Sequence, residues 1–157
     1  MTLKIILNSD QINSLDLSSA EKIIASLPDD RTIINYEQQL QFEIHFDRDP
    51  EDPREISEIP QVRLWFVRLD AKYPWLPFLL DAKEGQLGLY SAMLVPHQFN
   101  RNEGIIYNPE ALEIFVMHKL FILSDWFKQR QIDSSIRLKS LAQLWGYDID
   151  DSFFASI

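Results

Sequence analysis

The sequence predicts an α+β fold: a single domain with a mixed sheet of about four strands and three to four helices packed mainly on one face. Three observations carry this. Leu40, Phe42, Ile44 and Phe46 alternate with Gln41, Glu43 and His45, the period of a strand with one buried and one wet face. Downstream of Asn108, apolar residues recur at helical spacing over about twenty positions. The chain's 157 residues are 46% hydrophobic and 25% charged, enough to build one core without disulfides or metals.

In chain order, residues 3–7 read as a buried first strand. Ser18 and Glu21 have the spacing of a capping box for a helix through Leu27 that Pro28 stops. The strand at 40–46 follows. Residues 47–58, DRDPEDPREISE, concentrate charge and proline and predict an exposed acidic loop. Pro60 suits the first turn of a helix to about Tyr73, with Val62, Trp65, Phe66 and Leu69 inward and Pro74 as its stop. WLPFLLD is too short and too proline-broken for a helix, and residues 87–95 have the length and apolarity of a central strand, giving a hairpin or sheet edge there. Asn108 and Pro109 form an N-cap and first-turn pair for a helix reaching Arg130. A last helix over 135–145 ends at Gly146, and residues 148–157 form a loose acidic tail whose Phe153 and Phe154 dock, fray or bind a partner. No internal repeat appears, so one globular domain spans 1–157.

Composition excludes several functions. Twenty-four acidic against fifteen basic residues give a net charge of -9, which opposes binding to a phosphate backbone, so nucleic acid is not an expected partner. Without cysteine there is no disulfide, thiol nucleophile or thiolate-held metal. His45, His97 and His118 lack zinc-site spacing, and the four glycines match no phosphate-binding loop. No cofactor or metal is expected. The N-terminal apolar run is too short for a signal peptide, and residues 114–127 are interrupted by His118, Lys119 and Asp125. A cytoplasmic protein with no stable membrane insertion is therefore expected.

Two features stand out as candidate binding surfaces. In PHQFNRNEG (96–104), His97, Gln98, Asn100, Arg101 and Glu103 crowd a predicted loop between a core strand and the longest helix, where function concentrates. A hydrogen-bonded connection whose Asn and Arg satisfy local backbone groups is the plainer explanation of them. Residues 29–58 carry ten acids and three arginines, a balance of -7 out of -9, with Asp47, Asp49, Glu51 and Asp52 at its densest. They are either a solvated face or a surface that steers a basic partner. Trp75, inside YPWLPF, is the tryptophan that no predicted inward face claims.

RLWFVRLDAK (63–72), YPWLPFLLD (73–81) and SAMLVPHQFNRNEGIIYNPEALEIFVMHKLF (91–121) resemble the chlororespiratory reduction 6 family of cyanobacteria and chloroplasts, over about a third of the chain. The resemblance implies a non-enzymatic assembly factor for the photosynthetic NADH-dehydrogenase-like complex, acting on its peripheral iron-sulphur subunit I before incorporation, in the cytoplasm or, for a chloroplast homologue, the stroma. It brings no catalytic residues. Two alternatives stay open: a small hydrolase or ligand-binding enzyme using His97, Arg101 and Glu103 as base, cation and carboxylate, and a homodimeric adaptor. Oligomeric state is not legible.

Overall fold

Ile5 and Leu7 are fully buried while Lys4, Ile6 and Asn8 point outward, and this alternation makes Leu3–Asn8 strand β1. In the computed structural model, which describes residues 1–157, contacts group into two units, residues 1–94 and 95–157.

In the first unit β1 pairs in parallel with β2 (Leu40–His45), Leu3 opposite Leu40 through Asn8 opposite His45. Parallel pairing requires a crossover, here supplied by α1 (Ser9–Asn13), α2 (Ser18–Ala25) and a 3-10 helix over Arg31–Tyr36. Asn8 opens α1 with a reciprocal box: its Oδ1 accepts the Gln11 N–H at 3.0 Å, and Gln11 Oε1 accepts the Asn8 N–H at 3.1 Å. The predicted Ser18–Glu21 box does not form. The Asp16 carboxylate caps that end instead, accepting from the Ser18 N–H at 2.9 Å and its hydroxyl at 3.0 Å, and these bonds hold the Asp16 carboxyl below its usual range.

Helix α3 (Pro60–Lys72) matches its prediction, with Val62, Trp65, Phe66 and Leu69 buried. The Phe66 ring meets Phe42, Trp65 and Tyr90 edge-on at 5.1, 5.0 and 6.0 Å. Each such side chain contributes about 1.5–3 kcal/mol by burial. The Trp65 indole N–H donates to the Asp16 carbonyl at 2.7 Å, which fixes the turn before α2.

Four sequence expectations are corrected. Residues 87–95 are not a strand: Gln86–Leu94 is helix α4, buried around most of its circumference. An apolar run without period is ambiguous between strand and helix. Gly88, Ser91, Ala92 and Met93 are not strand formers, and Ser91 Oγ donates back to the Leu87 carbonyl at 2.9 Å, a helical contact. WLPFLLD holds a buried 3-10 helix over Leu76–Leu79, after which Leu80 bridges to Leu40. The Phe42 N–H, next along that edge of β2, is taken by Gln86 Oε1 at 2.8 Å. A side chain thus closes the ladder where a further strand was expected. In place of one four-stranded mixed sheet there are two sheets of two strands, and the α-helices number seven rather than three to four.

In the second unit β3 (His97–Asn100) pairs antiparallel with β4 (Gly104–Tyr107), followed by α5 (Pro109–Gln129), α6 (Ser135–Leu144) and α7 (Asp151–Ser156). Asn108 caps α5 as predicted, its Oδ1 accepting the Ala111 N–H at 3.0 Å. Gly146, at φ +87°, ends α6 in the left-handed conformation that its missing Cβ permits. The acidic tail is not loose. Asp150 Oδ1 caps α7 through the Ser152 N–H at 2.8 Å, and Phe154 is buried.

Candidate functional site

The segment expected to be a loop, PHQFNRNEG, is the first strand and tip of the β3–β4 hairpin. Its polar residues concealed a β-pattern. Phe99 pairs with Ile105 and His97 with Tyr107 on one face, and Gln98 with Ile106 on the other. The tip is built by Asn100, whose Oδ1 accepts the N–H groups of Asn102 at 2.8 Å and Glu103 at 3.3 Å, and by Gly104 at φ +76°. At the base, the Asn108 N–H donates to the Pro96 carbonyl at 2.8 Å, so the residue that caps α5 also ties off the hairpin.

The predicted polar residues are distributed along this ribbon. His97 sits half-buried at the base, Nδ1–H donating to the Val95 carbonyl at 3.0 Å and its ring edge-on to Tyr107 at 6.1 Å. Burial pushes the Tyr107 phenol up to about 12. Gln98, Asn100, Arg101 and Glu103 are exposed, the last two in the tip. His97 lies three ladder steps from Asn100, roughly 10 Å at about 3.3 Å per residue. The backbone therefore places His97 at the base of the ribbon and the Arg101–Glu103 turn at its tip.

What the hairpin does present is apolar. Phe99 is 59% exposed, Ile105 opposite it is exposed, and so is Ile106 on the other face of the ribbon. Phe99 and Ile105 thus form an exposed apolar pair on one face of the ribbon, with Ile106 exposed on the other. Sequence reasoning singled out the polar neighbours and passed over these three, although the i, i+2 spacing of His97 with Phe99 and of Ile105 with Tyr107 signals a strand face.

The acidic segment is more structured than a loop. Arg54 forms a forked pair with Asp52, Nε to Oδ1 at 3.0 Å and Nη2 to Oδ2 at 2.8 Å, and these bonds lower the Asp52 carboxyl to about 2. Arg48 donates to the carbonyls of Asp52 and Arg54. Asp49 Oδ1 accepts the Glu51 N–H at 2.9 Å, and Glu58 caps a short 3-10 helix over Ile56–Glu58 through the Glu55 N–H at 2.6 Å. Asp47, Asp49 and Glu51 face solvent, while Asp52 is partly covered. Trp75 is half-buried and meets Tyr73 edge-on at 5.9 Å, ahead of the buried Leu76–Leu79 turn.

Two buried polar groups were not visible in the sequence. The Tyr90 hydroxyl donates to the Asp70 carboxylate, and burial first, then that charge, pushes the phenol well above its ordinary value. Lys119 is fully buried on α5, its ammonium 5.4 Å from the centre of the Phe115 ring. No group of three or more His, Asp or Glu side chains is arranged to hold a metal ion, and no helix is long and apolar enough to cross a membrane.

No solved structure matches the chain. A family model described as chlororespiratory reduction 6 matches residues 7–156, nearly the whole length, and that family serves in assembly of the chlororespiratory NADH-dehydrogenase-like complex. Spanning β2, the acidic segment, the hairpin and the closing helices alike, the match means that this chain belongs to the chlororespiratory reduction 6 family.

Proposed function

We propose that this chain is a non-enzymatic assembly factor. It binds the immature peripheral iron-sulphur subunit I of the photosynthetic NADH-dehydrogenase-like complex and assists its maturation or incorporation, acting in the cytoplasm or, in a chloroplast homologue, the stroma. The family match supports the assembly role, and the observation that carries a binding mode is the exposed Phe99–Ile105 pair on one face of the β3–β4 hairpin. A chain without cysteine cannot hold the client's clusters by thiolate, so its help comes through surface contacts. The hairpin supplies the apolar anchor, with Gln98, Asn100, Arg101 and Glu103 as its polar rim and His97 fixing its base. Asp47, Asp49 and Glu51 steer a basic client surface into register.

Co-purification of tagged chain with the client tests this. Phe99→Asp should abolish capture by raising the dissociation rate while leaving folding intact, since the residue is exposed. Normal levels of assembled complex in cells lacking the protein, with no client bound to the tagged chain, would overturn the proposal.

A further inference from the structure

Strand β1 is paired on one side only. The Leu3 N–H donates to the Gln39 carbonyl at 2.8 Å, so in this parallel ladder Leu3, Ile5 and Leu7 turn their backbone groups toward β2. Lys4, Ile6 and Asn8 turn theirs to the outer edge. The Asn8 N–H is taken by Gln11 in the box that opens α1. No hydrogen bond within the chain takes the N–H or C=O of Lys4 or Ile6, which leaves two donors and two acceptors in a row. The outer edge of β2 is treated differently, closed by Leu80 and Gln86. An open edge is commonly guarded by proline or by a lysine projecting over it. β1 has no proline, and its one lysine is tied back across the sheet, Lys4 Nζ to Glu43 Oε2 at 3.2 Å. Beside it Ile6 is 53% exposed.

We infer that the outer edge of β1 is a pairing surface for a second copy of this chain, joined antiparallel about a two-fold axis at Ile5. That register sets Lys4 opposite Ile6 of the second copy, and Ile6 opposite its Lys4. Each such pair exchanges both N–H···O bonds, so every open group at Lys4 and Ile6 is met and nothing is asked of Asn8. An axis at Ile6 would instead oppose Lys4 to Asn8, whose N–H is committed. Open groups placed symmetrically about one residue are what an isologous two-fold contact satisfies, so the strand is complementary to itself. On the wet face each Lys4 stem lies against the exposed Ile6 of the other copy, and its ammonium, paired with Glu43, brings no bare charge to the seam. The antiparallel direction also keeps like charge apart. The acidic segment starts beside the C-terminal end of β1, where the Asp47 N–H donates to Ser9 Oγ at 2.8 Å. Lys4 opposite Ile6 sets Ser9 opposite position 1, so the two acidic starts lie about 26 Å apart at about 3.3 Å per residue, beyond the screening length of about 8 Å at physiological salt. A parallel pairing would put them side by side. So short a seam makes a small contact, and the dimer forms reversibly with concentration. The inference is independent of which client the hairpin takes.

Sedimentation equilibrium and amide exchange on the full chain test this. The mass should rise from 18.5 kDa toward twice that value between micromolar and millimolar chain. Over the same range the Lys4 and Ile6 amides should exchange at least about ten-fold more slowly, while those of Ile5 and Leu7, which face β2, do not change. Ile6→Pro deletes an outward donor and leaves the β1–β2 ladder intact, so it should stay at 18.5 kDa. If that variant fails to fold, Ile6→Lys changes an exposed side chain, sets like charges against Lys4 and should have the same effect. A wild-type mass that stays at 18.5 kDa up to millimolar chain overturns the inference. So does a dimer in which Lys4 and Ile6 remain unprotected, or one that a folded Ile6 variant still forms. Protection of those two amides in a monomeric chain only when the client is added also overturns it, by giving the edge to a client strand.

Discussion

Replacing Asn108 by alanine separates the two jobs the structure gives that residue. Its side-chain oxygen accepts the Ala111 N–H at 3.0 Å at the start of α5, while its backbone N–H closes the hairpin base on the Pro96 carbonyl at 2.8 Å. Asn108→Ala removes the first bond and keeps the second. Loss of an N-cap costs about 1 kcal/mol within a range of roughly 0.5–2, which for a chain of this size lowers Tm by about 2–4 °C. Asn108→Asp keeps the acceptor and adds a negative charge at the helix N-terminus, favourable by roughly 0.3–1 kcal/mol before repulsion from Glu110 in the same turn offsets part of it. Asn108→Asp is therefore expected within about 0.5 kcal/mol of wild type. Urea unfolding followed by circular dichroism reads both, and amide spectra of residues 97–107 report on the ribbon, which should stay paired in each variant. Two results refute the reasoning: an Asp variant as unstable as the Ala variant, or a hairpin that melts when only the side chain is removed.

Asp52 should titrate near 2 in the native chain and return toward the ordinary value near 3.8 in Arg54→Gln, as followed by carboxyl carbon shifts. Because the native value is depressed, the pair's contribution is complete above pH about 4 and is lost as pH falls through about 2. Gln131 sits at φ +55° just past α5, where its side chain is strained by about 1–2 kcal/mol and glycine forfeits about 0.5–1 through backbone entropy. Gln131→Gly should raise Tm by up to about 4 °C, and Gln131→Val should lower it. Trp65→Phe removes the donor to the Asp16 carbonyl and leaves a partial cavity, so a loss of at least about 2 kcal/mol in denaturant unfolding is expected.

What the sequence disclosed follows the strength of local signals. Helices α3, α5 and α6 were legible because each combines a 3.6-residue period with a proline, cap or glycine at its ends. Helix α4 was not, since a helix buried all round has no period to detect. The hairpin was hidden by its own solvent exposure. Gln98, Asn100, Arg101 and Glu103 look like loop residues, and only the register across β4 shows that Phe99 and Ile105 share a face. The charged half of the candidate surface was thus readable and the apolar half was not. The α2 start was misassigned because several oxygens lie close together in sequence, and Asp16 rather than Ser18 holds the geometry to accept.

The acidic segment shows how pairing changes what a net charge can do. Of its ten acids, Asp52 is forked to Arg54, Glu43 bonds Lys4 and His45 at 3.2 and 2.9 Å, and Asp30 caps a 3-10 helix through the Thr32 N–H at 2.7 Å. A carboxylate paired with a cation contributes little field at a distance, so the proposed steering is tested at Asp47, Asp49 and Glu51, which face solvent. Reversing those three to lysine should slow client association at low salt and flatten its salt dependence without altering the dissociation rate. Reversing Asp52 should act differently. It breaks the Arg54 fork that organises the turn where Arg48 also binds, so it should disorder the segment and impair capture at every salt concentration. Stopped-flow association at two ionic strengths distinguishes the two. If Asp52→Lys behaves like the triple reversal, the segment acts as bulk charge; if the triple reversal changes nothing at low salt, the acids have no part in finding the client.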